Sequence, residues 1–145
     1  RPLHNNRSVH SIQRIGDVCP LTAQAEIRAV LSVGVEGVIV QSLIPKLSGS
    51  GRALSSEVMV PNPAIRNLIR EDKLHQIYSQ MQIGQTKYGM QTMNQSLTDL
   101  FLKKTISLEE AIGHSSEIDE LKTMIVNGGG VLPADQRPQS TPTRR

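Results

Sequence analysis

Residues 64–71 have the sequence AIRNLIRE. Asn62 is a good N-cap for a helix over this stretch, and Pro63 suits the first helical position because its missing N–H would be unpaired there. On such a helix the apolar side chains recur at three- and four-residue intervals and form one inward stripe, made of Ile65, Leu68 and Ile69. The spacing therefore predicts a short amphipathic helix packed on a core.

The polar residues of the same stretch are predicted to share the opposite face of the helix. Arg66, Asn67 and Arg70 lie within one turn of one another. Two guanidiniums at this spacing could grip a carboxylate on a moving partner or on an adjoining subunit. The periodicity is equally typical of an ordinary helix with a solvated basic face.

Upstream of this stretch, the sequence predicts a long helix and then a β-hairpin. Thr22 is a candidate N-cap, and apolar or small residues recur at helical spacing after Pro20, namely Ile27, Val30, Leu31, Gly34, Val35, Val38 and Ile39. Pro45 should end the helical pattern. Residues 43–47 and 52–60 then read as two strands around a glycine- and serine-rich loop.

Downstream, the sequence predicts a cluster of short helices. Thr92 with Gln95 resembles a capping box, and Ser107 and Ser116 are further start signals. After residue 127 come three glycines and a proline-containing polar stretch, which predicts a disordered tail. We therefore expect three parts, which are residues 1–60, a helical subdomain at 61–126 and a tail at 127–145.

Composition excludes several classes of function. The 145-residue chain has a net charge of only +3 and 2% aromatic residues, which argues against a nucleic-acid platform. No apolar run is long enough for a transmembrane segment, and the single Cys19 fits a reducing cytoplasm. The histidines lack metal-ligand spacing with cysteines or carboxylates, so no metal site is predicted.

The stretch at 64–71 closely resembles the AIRNLIRE signature of the PilT family of type IV pilus retraction ATPases. All eight residues match: Ala64, Ile65, Arg66, Asn67, Leu68, Ile69, Arg70 and Glu71. Residues 37–45, 89–93 and 106–111 are similar to further family segments. The resemblance implies an α/β fold, the C-terminal portion of a RecA-like P-loop ATPase core followed by a mostly helical C-terminal subdomain.

Residues 3–6, with the sequence LHNN, and the IQRIGDV segment at 12–18 resemble the histidine box of secretion and pilus ATPases. The resemblance implies that His4 senses the terminal phosphate of the nucleotide, as a neutral imidazole can hydrogen-bond a phosphate oxygen. Four residues depart from the usual pattern around the box: Pro2, Asn5, Arg7 and Cys19.

No glycine-rich phosphate loop of the form G-x-x-x-x-G-K-[ST] is present in the sequence. The chain begins at Arg1, so we expect it to be the C-terminal part of a longer protein, unable to hydrolyse ATP alone. For the full-length protein the resemblance implies ATP and Mg²⁺ as cofactors and a hexameric ring of identical subunits. It also implies pilus machinery at the cytoplasmic face of the inner membrane as partner, with pilus depolymerisation and twitching motility as the outcome.

Two alternatives remain open from the sequence. One is a non-catalytic helical module that docks an acidic partner through Arg66 and Arg70, independently of nucleotide. The other is a related pilus-assembly or type II secretion ATPase, for which a zinc-binding cysteine cluster would be expected; the chain has one cysteine.

Overall fold

The computed structural model describes residues 7–136. Within this range the chain forms eight α-helices, three short 3₁₀ turns and one two-stranded sheet. The two strands are β1 (Val38–Pro45) and β2 (Arg52–Met59). The helices, in chain order, are α1 (Arg7–Asp17), α2 (Gln24–Gly34), α3 (Pro63–Arg70), α4 (Ile77–Ile83), α5 (Gln85–Tyr88), α6 (Met93–Leu102), α7 (Leu108–His114) and α8 (Ile118–Asn127).

The predicted antiparallel hairpin is confirmed, but its first strand covers Val38–Pro45 rather than residues 43–47, and its second strand ends at Met59 rather than at residue 60. Strands β1 and β2 pair antiparallel, with Val38 opposite Met59 at one end and Pro45 opposite Arg52 at the other. The connecting loop contains Gly49 and Gly51 at φ of 75° and 77°, a region that glycine adopts without a Cβ clash. On β2 the alternate side chains from Ala53 to Met59 are buried, so one face of the hairpin lies on the core.

Helix α2 is shorter than the sequence pattern predicts. It ends at Gly34, and Val38 and Ile39, predicted on the helix, begin β1 instead. Residues 38–40 are β-branched and pair with β2, and this tertiary pairing outweighs a helical period that already includes two glycines. Thr22 lies in a 3₁₀ turn, and the N-cap of α2 is Ala23 without a side-chain bond, so the predicted cap is wrong.

The predicted start signals of the later helices are mostly confirmed. Thr92 and Gln95 form a complete capping box at α6, and the Ser107 side chain accepts the Glu110 N–H at α7. Ser116 was expected to start the last helix, but α8 follows Glu117, which makes no side-chain cap bond.

Two hydrophobic clusters hold these elements together, and the hairpin contributes to both. The first joins the hairpin to α6, α7 and α8 and consists of Ile44, Ala53, Met93, Leu97, Ile106, Ala111, Leu121, Ile125 and Leu132. The second joins the end of β2 to α1, α3 and α4 and consists of Ile12, Met59, Ile65, Ile69, Ile77, Met81 and Met90. Each cluster thus combines residues from both sides of position 60.

The glycines at 128–130 end α8 in a tight turn. Gly129 has a φ of 84°, and an added Cβ at Gly130 would lie 2.6 Å from Ile125 Cγ2. Leu132 is only 2% exposed and belongs to the first cluster. Residues 127–136 therefore differ from the disordered tail expected here, because one leucine supplies enough apolar contact to hold the segment on the helices. Residues 137–145 lie outside the described residues.

Candidate functional site

Helix α3 and its C-cap Glu71 carry the AIRNLIRE stretch, and the start of the helix is fixed by the predicted cap. The Asn62 side chain accepts the Ile65 N–H at 2.9 Å, and Pro63 occupies the first turn. Ile65 and Ile69 are fully buried in the second cluster, and Leu68 packs against it. The predicted inward stripe is therefore confirmed.

Arg66 was predicted to face outward, but its guanidinium turns toward the end of α2. Its Nη1 atom donates to the backbone carbonyl oxygens of Ser32 and Val33 at 2.9 and 2.8 Å. Both carbonyls belong to the last turn of α2, where intrahelical partners are lacking and a partial negative charge attracts a cation. The prediction of two outward guanidiniums is thus wrong for Arg66, because its guanidinium binds carbonyl oxygens that lack partners within α2.

The other polar side chains of α3 remain at the surface. Asn67 Nδ2 donates to Glu71 Oε1 at 2.9 Å, and Lys73 Nζ donates to Glu71 Oε2 at 2.7 Å. The hydrogen bond from Lys73, followed by that from Asn67, lowers the pKa of Glu71 below its usual range. Arg70 is exposed, so it is the arginine of the stretch whose side chain lies in solvent.

A second contact between α2 and the α3 region involves residues that the sequence did not single out. Arg28 Nη1 lies 3.6 Å from Asp72 Oδ2, and Asp72 adopts a φ of 59° directly after the helix. Asp is one of the few residues other than glycine that tolerate this left-handed region. A signal was available in the sequence, since a positive φ is common just after a helix end.

His4, predicted to sense phosphate, lies outside the described residues. The segment that follows it is held by a buried contact: the Ser8 N–H donates to Glu57 Oε1 on β2 at 2.7 Å, and the Ser8 hydroxyl bonds the same oxygen. Glu57 is 2% exposed and Ser8 is fully buried. A carboxylate at a helix start is favourable because it meets the free N–H groups and the positive end of the helix dipole. Glu57 was missed by the sequence reasoning, since nothing local distinguishes it.

Glu120 joins three helices in a polar network that the sequence also did not predict. Its carboxylate accepts hydrogen bonds from Tyr78 and Gln82 on α4 and from Asn94 on α6. Burial, followed by the hydrogen bond to Glu120, raises the pKa of Tyr78 above its usual value. The network links α4, which contributes to the second cluster, with α6 and α8, which contribute to the first.

A polar groove of about 550 Å³ runs beside α1 and is lined by His10, Ser11, Gln13, Arg14, Asp17 and Val40. No residue of the AIRNLIRE stretch lines it. The groove and α3 are therefore separate features, connected through the second cluster by Ile12 of α1.

Within residues 7–136, no group of three or more His, Cys, Asp or Glu side chains could hold a metal ion. The sequence also has no phosphate loop with its following lysine. None of the helices described here has the length and apolar character needed to cross a membrane.

Comparison with solved structures defines the class of protein. The fold is similar to the pilus retraction motor PilT with bound ADP, with a TM-score of 0.65 and 48% identity, over 74% of this chain and 29% of that chain. It is also similar to the ATPase DotB of Legionella pneumophila, with a TM-score of 0.56 and 15% identity, over 83% of this chain and 29% of that one, which concerns the fold alone. The chain thus has the fold of part of a pilus or secretion ATPase.

Comparison with curated proteins narrows the class. The chain is 45% identical over 109 residues to the type IV pilus retraction ATPase PilT of Pseudomonas aeruginosa, covering 75% of this chain and 31% of that protein. It is 43% identical over 109 residues to a twitching motility protein of Neisseria gonorrhoeae, covering 75% of this chain and 29% of that protein. No family model matches.

The chain is a member of the PilT-type family and matches the C-terminal part of its relatives. It spans less than a third of the length of the curated relatives named above. The resemblance predicted from residues 64–71 is therefore confirmed at the level of the family.

Proposed function

We propose that this chain is the force-transmitting part of an ATP-driven motor that retracts type IV pili. The observation that carries the proposal is the anchoring of α3, whose Ile65 and Ile69 are fully buried while Arg70 reaches solvent. A helix held rigidly on one side can pass a movement of the core to whatever its other side contacts. The pilus is proposed as the object of the motor because the relatives are named for pilus retraction and twitching motility.

In the proposed motor, the nucleotide and Mg²⁺ are bound mainly by residues beyond this chain. His4 would contribute a neutral imidazole toward the terminal phosphate. The bound ADP of the solved relative supports ATP as the fuel. The complete protein would act as a hexameric ring at the cytoplasmic face of the inner membrane, with pilus machinery as partner.

The division between residues 1–60 and 61–126 is kept as part of this proposal, while Leu132 of the expected tail packs on the first cluster. In this division, the first part belongs to the ATPase core and carries the histidine box. The second part carries α3 and reports the state of the core to a partner. Contact between the two parts runs through both clusters, and the second cluster includes Ile12 of α1 and Ile65 of α3.

The test replaces Arg70 in the complete protein, in the bacterium that carries it. Arg70→Glu is expected to reduce twitching far more than ATP turnover, because reversed charge repels an acidic partner that a guanidinium would bind. Arg70→Lys keeps the positive charge and is the matched control, with twitching largely retained.

Two results would contradict the proposal. One is a parallel loss of turnover and twitching in Arg70→Glu, which would place the residue in the chemistry. The other is a partner bound equally well with and without nucleotide, which would favour a docking module without motor function.

A further inference from the structure

We infer that the two arginines of α3 have different tasks: Arg66 positions the helix by capping the C-terminal end of α2, and Arg70 is the cation that meets an acidic group of the partner. The assignment of Arg70 rests on the proposed function. The assignment of Arg66 rests on its contacts and holds whether or not the chain works in a motor.

The first step is the chemistry at the end of α2. The last four carbonyl groups of a helix have no intrahelical partner, and together they carry a partial negative charge. One guanidinium nitrogen of Arg66 reaches two of them, at Ser32 and Val33. Ser32 is fully buried, whereas Val33 is 71% exposed, so water has little access to the Ser32 side of the turn. Arg66 thus satisfies the Ser32 carbonyl, which would otherwise be costly to leave unpaired, and adds a solvent-accessible bond to the Val33 carbonyl.

Helices α2 and α3 contact each other at two separate places. Arg66 lies in the first half of α3 and contacts the end of α2, whereas Asp72, just beyond α3, lies 3.6 Å from Arg28 in the first half of α2. The two helices therefore run antiparallel and are held at two points. Ile65 and Ile69 anchor α3 on the core, and the two separated polar contacts add to this anchoring and align α3 along α2.

The remaining polar side chains of residues 64–71 differ in whether they can contact a partner. Asn67 and Glu71 are engaged with each other, and Glu71 also accepts from Lys73. Arg70 is exposed, and no hydrogen bond or ion pair joins its guanidinium to another residue in the described range of 7–136. Its planar fork of donors suits a carboxylate. Of the two arginines in residues 64–71, Arg70 is thus the one assigned to contact the partner.

The test uses amide hydrogen exchange on the whole chain. The probe is the Val35 N–H, which bonds the Leu31 carbonyl at 3.1 Å at the end of α2. Arg66→Met keeps the aliphatic stem but removes the donors. It is expected to speed exchange at Val35 and to raise the unfolding equilibrium constant by about tenfold, the effect of losing one or two hydrogen bonds from a charged group.

Three variants serve as controls. Arg70→Met should leave exchange at Val35 unchanged. Arg66→Lys should restore most of the protection, since an ammonium still donates to carbonyls. Asn62→Ala removes the N-cap of α3 and lowers overall stability by a comparable amount, yet it should not speed exchange at Val35 selectively.

Unchanged exchange at Val35 in Arg66→Met would contradict the assignment of Arg66 as the cap of α2. Equally fast exchange at Val35 in Arg70→Met or Asn62→Ala would contradict it too. Twitching then tests the positioning role: it should fall in Arg66→Met and recover in Arg66→Lys. Normal twitching in Arg66→Met, together with faster exchange at Val35, would refute the positioning role. Normal twitching in both Arg70→Met and Arg70→Glu would refute the proposed function and leave the exchange result standing.

Discussion

At the scale of single residues, the pKa of Glu71 depends on two neighbouring side chains, Lys73 and Asn67. Its hydrogen bonds from Lys73 and Asn67 lower its pKa in the folded state. A carboxyl with a lowered pKa adds stability above its unfolded pKa of about 4.3 and loses that contribution as pH falls through the folded value. Because Glu71 lies in solvent, we expect this contribution to be small.

The prediction for Glu71 is a titration midpoint below that of an ordinary glutamate, measured by NMR of its carboxyl carbon. Lys73→Met should move the midpoint upward, since it removes the largest cause of the shift. Lys46→Met, in the exposed hairpin loop, should leave it unchanged. An unchanged midpoint in Lys73→Met would contradict the assignment of Lys73 as the main cause of the lowered pKa.

Single residues also mark the limit of what the sequence could predict. Asn62, Ile65 and Ile69 were predicted correctly because capping and apolar spacing are local properties. Arg66 was not, since its carbonyl acceptors lie 33 and 34 residues earlier. Glu57 was missed for the same reason, with its partner Ser8 separated by 49 residues.

At the scale of elements, the turn after α8 depends on close packing of its glycines. Gly130→Ala should destabilise the protein by about 1–3 kcal/mol in urea unfolding, the usual range for overpacking. The added Cβ would lie 2.6 Å from Ile125 Cγ2 and 3.0 Å from the Ile125 carbonyl oxygen.

The matched control for this turn is Gly113→Ala in α7, where no atom lies within 4 Å of the new Cβ. That change should be neutral or stabilising by up to about 1 kcal/mol, because alanine is the better helix former. Equal effects at both positions would show that the turn is not tightly packed.

The elements themselves were predictable to different degrees. The hairpin and the capped helices α3, α6 and α7 followed from turn residues and caps in the sequence. The end of α2 did not, because the helical period of residues 27–39 continues into β1. Pairing between β1 and β2 decided the outcome there, and a single sequence does not reveal which tertiary contact prevails.

At the scale of the whole molecule, Leu132 extends the folded region past the last helix. Leu132→Ala should lower stability by about 2–4 kcal/mol, the range for truncating a buried leucine. The neighbouring Val131 is 80% exposed, so Val131→Ala should change stability by less than about 0.5 kcal/mol. Chemical denaturation of the two variants checks this, and a similar loss in both would contradict the packing of Leu132.

The general architecture was predictable because residues 64–71 identify a family, and the family implies a fold. The extent of the folded region was not, because three glycines and several prolines suggest a linker by composition. The burial of Leu132 among them depends on packing against residues of α6, α7 and α8, which composition does not reveal.

The inner face of β2 has a consequence for how this protein can evolve. Its four inward side chains meet different neighbours in turn: Ala53 lies in the first cluster, Ser55 bonds Met93, Glu57 holds α1, and Met59 lies in the second cluster. Inserting or deleting one residue within this strand would reverse the alternation on one side of the change and turn the inward side chains there outward. Length variation among descendants of this gene should therefore accumulate in the hairpin loop and spare the strand.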